Sequence, residues 1–348
     1  MFVALRDLRA ARGRFALITL VVTLVAVLVS FLSGLTAGLA HQNVSAVESL
    51  PGDTVVFADT GGAPSFDGSM LTGEQIATWR AAARGVTPVG IARGKANGDG
   101  SAPAQVALFG TDTAFGNRPA TDAGTVLLST GAAADLGAMP GGSVVIGGRA
   151  FVVSAVRGDD WYSHTPVVWM TLADWQALNP RSGAATVLAV SGATDPEAVN
   201  ATAHTRTTDL SGARSAIGSY QAENGSLTLM TALLFAISAL VIGAFFTVWT
   251  IQRMPDIATL KALGATSGSL VRDALVQAAT VLTAGIATGL GITVAAAALL
   301  GDAVPFVLSP ATTLLPSLAL ILLGSLGAAF ALRFLFTADP LTALGAGR

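Results

Sequence analysis

No cysteine occurs among the 348 residues, so the chain forms no disulfide and offers no thiolate to a metal. Lysine is almost as scarce. The only two, Lys95 and Lys261, are each followed by alanine. A phosphate-binding P-loop needs a lysine followed by serine or threonine at the end of a glycine-rich turn, so no P-loop is present. Charge as a whole is thin: 11% of residues are Asp, Glu, Lys or Arg, against about 25% in a typical soluble domain. The net charge of −2 argues against a nucleic-acid partner, which needs a basic patch. His41, His164 and His204 show no HExxH-type spacing, and no serine sits in a GxSxG elbow. The chain does not read as an enzyme acting on a substrate of its own.

Apolar length is what it has. Hydrophobic residues make up 52% of the chain, and four stretches carry no charge: 15–40, 224–252, 274–301 and 303–332. Each exceeds the ~20 residues that cross a bilayer as a helix. The centres of all four lack the ionisable residues that mark proton- or ion-coupled carriers. The first is expected to remain as a span rather than be cleaved, being too long for a signal peptide. Arg6, Arg9, Arg12 and Arg14 precede it; Arg253, Lys261 and Arg272 follow the second stretch; Arg333 and Arg348 follow the fourth. Positive flanks face the cytoplasm. Both termini and the loop after the second span are therefore expected inside the cell membrane. The loop at Asp302 and the long segment 41–223 are expected outside.

The expected order is an amphipathic surface helix over 1–14 and spans over 15–40, 224–252, 267–301 and 303–332. A cytoplasmic helix over 253–266 separates the second span from the third, and a tail over 333–348 closes the chain. The fold class is thus an α-helical membrane protein whose outer domain, 41–223, lies between the first two spans. That domain reads as mixed α+β. Asp53–Asp59, Gln105–Phe109, Thr125–Leu128 and Ala185–Val190 are short β-branched runs. Ser143–Ile146 and Arg149–Val156 flank a Gly147-Gly148 turn, and Thr72–Ala83 and Leu172–Leu178 read as helices. Pro196–Gly225 is expected to be a polar helical stalk. Asp159-Asp160-Trp161-Tyr162-Ser163-His164 reads as a solvated loop, since two acids and one histidine make no recognisable ligand set.

The cytoplasmic helix carries the densest local signal. Pro255 suits a first helical turn, Asp256 suits the positive end of the helix dipole, and Gly264 suits a left-handed cap. Ile257, Leu260, Lys261 and Gly264 share one face at helical spacing. The pattern reads either as a surface-lying connector or as a docking helix. The run Arg253, Asp256-Ile257, Leu260-Lys261-Ala262-Leu263-Gly264-Ala265 resembles the cytoplasmic loop of MacB/FtsX-type ABC permeases, Ala338-Asp339-Pro340-Leu341 resembles that family's tail, and Ala134–Gly137 with Gly141–Ile146 resembles its extracytoplasmic domain. Asp256 stands where the family usually has glutamate, and Gln277 near where a second glutamate often opens the next span.

The resemblance implies a homodimer working with two copies of an ATPase subunit that binds ATP and Mg, this chain binding no cofactor itself. It implies that the face of Asp256, Ile257, Leu260, Lys261 and Gly264 couples to the ATPase. It also implies that the first two spans of two protomers face each other across the dimer axis. Tyr220 and Glu223 would then form a polar rim with His41 and Met230, above an apolar slot containing Val29. Gly34, spaced four residues from Ser30 and Gly38, would allow close helix approach there. Such a slot suits haem or a similar flat amphiphile drawn from membrane lipid, with Tyr220 or His41 as candidate iron ligands. Among families of this type, the compact outer segment is most similar to haem-efflux permeases of the HrtB kind. Interfacial anchoring is the plainer reading of the same rim. The alternative function is an FtsX-like regulator, coupling ATP hydrolysis elsewhere to a cell-wall hydrolase outside without transport.

Overall fold

The computed structural model describes residues 12–98, 102–116, 118–252, 254–301 and 304–331. The amphipathic helix expected over 1–14 lies almost wholly outside the described residues, as do Arg253, Asp302 and the tail. The chain divides into two units, residues 1–38 with 226–348, and residues 39–225.

The first unit is helical. Among the described residues four helices are long and apolar enough to cross a membrane: α1 (Arg12–Glu48), α7 (Gly218–Gln252), α9 (Ser267–Leu300) and α10 (Pro310–Ala331). Phe15, Ile18, Val22, Ala26 and Val29 recur every three or four residues on α1 and are buried. They pack with Ile242, Phe246 and Trp249 of α7, Val281, Leu282 and Ile286 of α9, and Leu320 of α10. Glycine on α9 permits the approach: a Cβ on Gly285 would lie 2.7 Å from Val22, and one on Gly289 would lie 2.7 Å from Ala26. Without a hydrophobic force between helices in lipid, such close backbone contact supplies the packing energy. The opposite stripe of α1, Leu17, Leu20, Leu24 and Leu28, is exposed.

Sequence reasoning placed the small-residue contact at Ser30, Gly34 and Gly38. The structure fills that face with the connector between α9 and α10. A Cβ at Gly34 would meet the Phe306 ring, and one at Gly38 would meet the Pro305 carbonyl. The Val307 N–H donates to the Gly34 carbonyl at 3.1 Å. Val29, expected on the wall of an open slot, is fully buried within the bundle.

The second unit is built on a ten-stranded sheet. Its elements are β1 (Thr54–Ala58), α2 (Gly73–Ala82), β2 (Ala83–Gly98), β3 (Ala104–Gly110), β4 (Thr125–Leu128), α3 (Thr130–Leu136), β5 (Ser143–Ile146) and β6 (Arg149–Val156). There follow β7 (Trp161–Tyr162), β8 (Thr165–Met170), α4 (Leu172–Leu178), β9 (Val187–Ala193), α5 (Pro196–Ala203), β10 (Thr205–Asp209) and α6 (Leu210–Ser215). β2 joins two layers. Its first half pairs with β9, extending an antiparallel sheet through β1 to β10. Its second half pairs with both β3 and β5, so the path β2-β3-β8-β4-β6-β5 closes on itself as a barrel. Closure leaves no free strand edge around that ring. Val106, Leu108, Val126, Leu128, Val144, Ile146, Phe151 and Val168 fill it, with Leu136 and Trp175 from the short helices. The alternate residues Ala107, Phe109, Val167 and Trp169 pack instead with Val44, Val47 and Leu50, at and just beyond the end of α1.

Two local expectations are corrected. The polar stalk expected over Pro196–Gly225 is not one helix: it comprises α5, β10, α6 and the first turns of α7. Asp195 and Asp209 cap two of these helices through their side chains, and the Asp209 cap sets a new start inside the segment. The other correction concerns Asp159–His164, which is not a solvated loop. Asp160 and Tyr162 are buried, and Asp160 receives Arg118 Nε at 2.7 Å and Trp169 Nε1 at 3.1 Å.

Candidate functional site

Three parts of the second unit converge on one polar cluster: the last turns of α1, the turn between β7 and β8, and the first turns of α7. The turn is unusual. Ser163 and His164 both adopt left-handed φ, +50° and +60°, the geometry of a two-residue hairpin that normally selects Asn and Gly. Non-glycine residues there cost on the order of 1–3 kcal/mol each, a strain that concentrates at functional sites. The turn is held by α1, which extends to Glu48 rather than ending at residue 40. Ser163 N–H donates to Asn43 O at 3.0 Å and His164 N–H donates to Gln42 O at 2.9 Å. Trp161 N–H donates to Ser45 Oγ at 2.8 Å.

The side chains then form a chain of defined direction. Arg93 Nη2 donates to Ser163 Oγ at 3.0 Å. Since Ser219 Oγ donates to Asn43 Oδ1 at 3.2 Å, the Ser163 hydroxyl is left to donate to Ser219, 3.2 Å away. Asn43 Nδ2 donates to Glu223 Oε2 at 3.0 Å. His164 Nε2 lies 2.7 Å from the same oxygen, and a carboxylate only accepts, so Nε2 carries the proton. His41 Nε2 lies between the Asp159 carbonyl and carboxylate, at 2.9 and 3.0 Å. Both partners are acceptors, so this nitrogen is protonated too. Asp159 also receives Trp161 Nε1 at 2.6 Å. Two histidine–carboxylate pairs therefore flank the end of α1, and the His164–Glu223 pair is about one third to one half exposed (31% and 45%).

Of the residues singled out from sequence, the structure brings Glu223 and His41 into this cluster but not Tyr220. Tyr220 packs its side chain against the core of the domain. Met230, Val29 and Gly34 belong to the helical unit, where Met230 is exposed. Asn43, His164 and Ser219 were missed. His164 had one available signal, its place beside two acids and an aromatic pair, but nothing local showed that Glu223 would reach it. Among the described residues no group of three or more His, Cys, Asp and Glu is arranged to hold a metal ion.

On the helical unit, α8 (Met254–Ala262) follows α7. Gly264 ends it at φ +95°, with Ala265 N–H donating to Leu260 O at 2.9 Å, and Thr266 caps α9 through its side chain. Ile257 is turned inward against Leu270, Val271, Ala274 and Leu275, so it is not offered to a partner. Leu260 and Lys261 are half-buried, and Leu263, which sequence reasoning passed over, is 80% exposed. The side chain of Asp256 lies outside the described residues.

Residues 216–340 match the FtsX-like permease C-terminal family. Over that portion the chain is similar to FtsX-like permeases. The chain is also 26% identical over 354 residues to a putative hemin transport system permease protein HrtB from Staphylococcus haemolyticus, the match covering 99% of each chain. A protein of the same description from Staphylococcus epidermidis is 26% identical over 200 residues, or 57% of this chain and 56% of that one. Among solved structures, the extracellular domain of the ABC-type transporter YknZ from Gram-positive bacteria aligns with a TM-score of 0.34 at 14% identity, covering 45% of this chain and 99% of that domain. The periplasmic region of MacB from Actinobacillus actinomycetemcomitans gives 0.35 at 14% identity, covering 51% and 97%.

Proposed function

We propose that the chain is the permease subunit of an ABC-type efflux system whose cargo is haem or a similar flat amphiphile. The observation that carries this reading is the full-length similarity to a protein described as a hemin transport permease. The polar cluster supports it chemically. A bare metal ion needs several protein ligands, whereas haem supplies the in-plane nitrogens itself and asks only for an axial donor. A histidine that donates one ring N–H to a carboxylate presents its other nitrogen as an oriented lone pair. His164 on Glu223 and His41 on Asp159 both have this arrangement. Tyr220 has its ring against the domain core and is the weaker candidate.

Energy comes from outside the chain, which has no P-loop. In this reading two ATPase subunits bind ATP and Mg and engage a homodimer of the permease at the turn from α8 to α9, where Leu263 projects. α7 is a single helix from Gly218 to Gln252. Transport then proceeds by mechanotransmission, in the cell membrane, with both termini and α8 on the cytoplasmic side. The chain itself catalyses nothing.

The test is titration of the purified permease with haemin, followed by the Soret band. Wild type should saturate, and His164→Ala or Glu223→Ala should weaken binding by about tenfold or more, the size of a lost charge-assisted contact. Tyr220→Phe should bind like wild type. A wild type without saturable spectral change would sink the haem reading in favour of an FtsX-like regulator.

A further inference from the structure

The outer domain holds a cavity of about 180 Å³ lined by Phe66, Asp67, Met70, Ile91, Arg93 and Tyr162, among others. Its position is set by the sheet: Ile91 and Arg93 lie where β2 passes from one layer to the other, and Tyr162 ends β7. Ser69 and Thr186 also line it, but their hydroxyls are committed. Ser69 receives Ala58 N–H and donates to Thr186 O, and Thr186 receives Ile91 N–H and donates to Ile91 O.

The charged groups are not committed in the same way. Asp67 and Arg93 face one cavity with opposite charge, yet among the described residues neither forms an ion pair. Both act on the tyrosine between them. Burial, then the Asp67 charge, raise the Tyr162 hydroxyl above its ordinary value, while Arg93 pulls it down. The guanidinium stands 5.9 Å over the Tyr162 ring and spends one N–H on Ser163 Oγ, leaving the rest of its planar fork for a carboxylate. Phe66 and Tyr162 give the cavity an apolar floor, both almost fully buried.

We propose that this cavity binds a free α-amino acid with an apolar side chain. Arg93 takes the carboxylate, Asp67 the ammonium group, and Phe66, Ile91 and Met70 the side chain. A free amino acid carries both charges on one carbon, which matches two opposite groups on one small cavity. The volume corresponds to about six waters at ~30 Å³ each, below the ~300 Å³ of a drug-sized site, and so selects a ligand of this size. Because Arg93 also holds Ser163, the bound carboxylate competes for the first donor of the chain leading to Glu223 and His164.

Calorimetric titration of the purified full-length permease tests this with three probes: L-leucine, L-leucinamide, which lacks the carboxylate, and N-acetyl-L-leucine, which lacks the ammonium. Leucine should bind saturably, one per chain. Each truncated probe should bind about tenfold or more weaker, the loss expected for one charge-assisted contact. Arg93→Gln should weaken leucine but not leucinamide, and Asp67→Asn should weaken leucine but not N-acetylleucine. Both side chains are exposed, so both variants should still fold, read as one cooperative melting transition. Absence of saturable leucine binding to the wild type, or leucine binding unchanged in both variants, overturns the proposal. Haemin binding is read separately, so failure here leaves the haem reading standing.

Discussion

Gly38→Ala and Gly34→Ala probe whether the small-residue face of α1 is covered by the chain's own connector. At Gly34 the added Cβ would lie 2.6 and 2.7 Å from Cε2 and Cε1 of Phe306, besides meeting Cζ. Ordinary carbon contacts are about 3.5–4.0 Å. The ring must therefore retreat by roughly 1 Å, against Phe31, whose centroid is 5.3 Å away. Overpacking of this kind costs about 1–3 kcal/mol. At Gly38 the obstacle is backbone, the Pro305 carbonyl and, at 2.9 Å, Phe306 N. No rotamer change relieves it, so Gly38→Ala should cost more than Gly34→Ala. The assay is the apparent melting temperature of each variant in detergent, run as a double-mutant cycle with Phe306→Ala. Phe306→Ala should cancel most of the Gly34→Ala loss, a coupling of about 1–3 kcal/mol, and should leave the Gly38→Ala loss in place. If Phe306→Ala rescues neither glycine variant, or Gly34→Ala melts like wild type, the connector does not cover that face.

If the proposed coupling to an ATPase subunit holds, Leu263→Asp should lose that subunit on purification, because burying an unpaired carboxylate costs several kcal/mol. Ile257→Asp should instead lower the melting temperature of the permease alone, its side chain being buried against α9; the reverse pattern would show that Ile257 is the contact. Asp160→Ala should destabilise the protein by about 3–5 kcal/mol, since Arg118 then remains in the domain, only 11% exposed, without its carboxylate; a melting temperature within a degree of wild type would contradict that pairing. For Tyr162, burial and Asp67 raise the hydroxyl pKa in the folded state, so the native protein holds its proton where the unfolded chain has lost it. Stability from this source is complete below about pH 10, the unfolded value, and falls as pH rises beyond it. Tyr162→Phe should remove that alkaline loss, and melting curves of the two proteins that stay parallel from pH 9 to 11 would refute it.

Local pattern alone determined much of this protein. Charge-free length gives the four apolar helices, because a helix satisfies its own backbone and needs only a lipid-compatible surface. The Gly264 turn and the hairpin over Ser143–Val156 are equally local, each written in a few neighbouring residues with one favourable backbone geometry. Asp209 could have shown that Pro196–Gly225 is broken, since it is a capping residue inside that segment followed by a short helix. Other features depended on contacts far apart in sequence. Barrel closure needs β2 to meet β5, about fifty residues later (Ala96↔Ile146), and hydrophobic alternation is the same whether a sheet closes or stays open. Whether Gly34 served a second helix or a loop was decided by Phe306, and whether Ile257 faced outward was decided by Leu270 and Leu275. The polar cluster is the clearest case. His164 and Glu223 are separated by 59 residues, and neither has a motif around it. They meet because a strained turn docks its amides on the carbonyls of α1 while α7 begins alongside, and only the folded chain brings those three together.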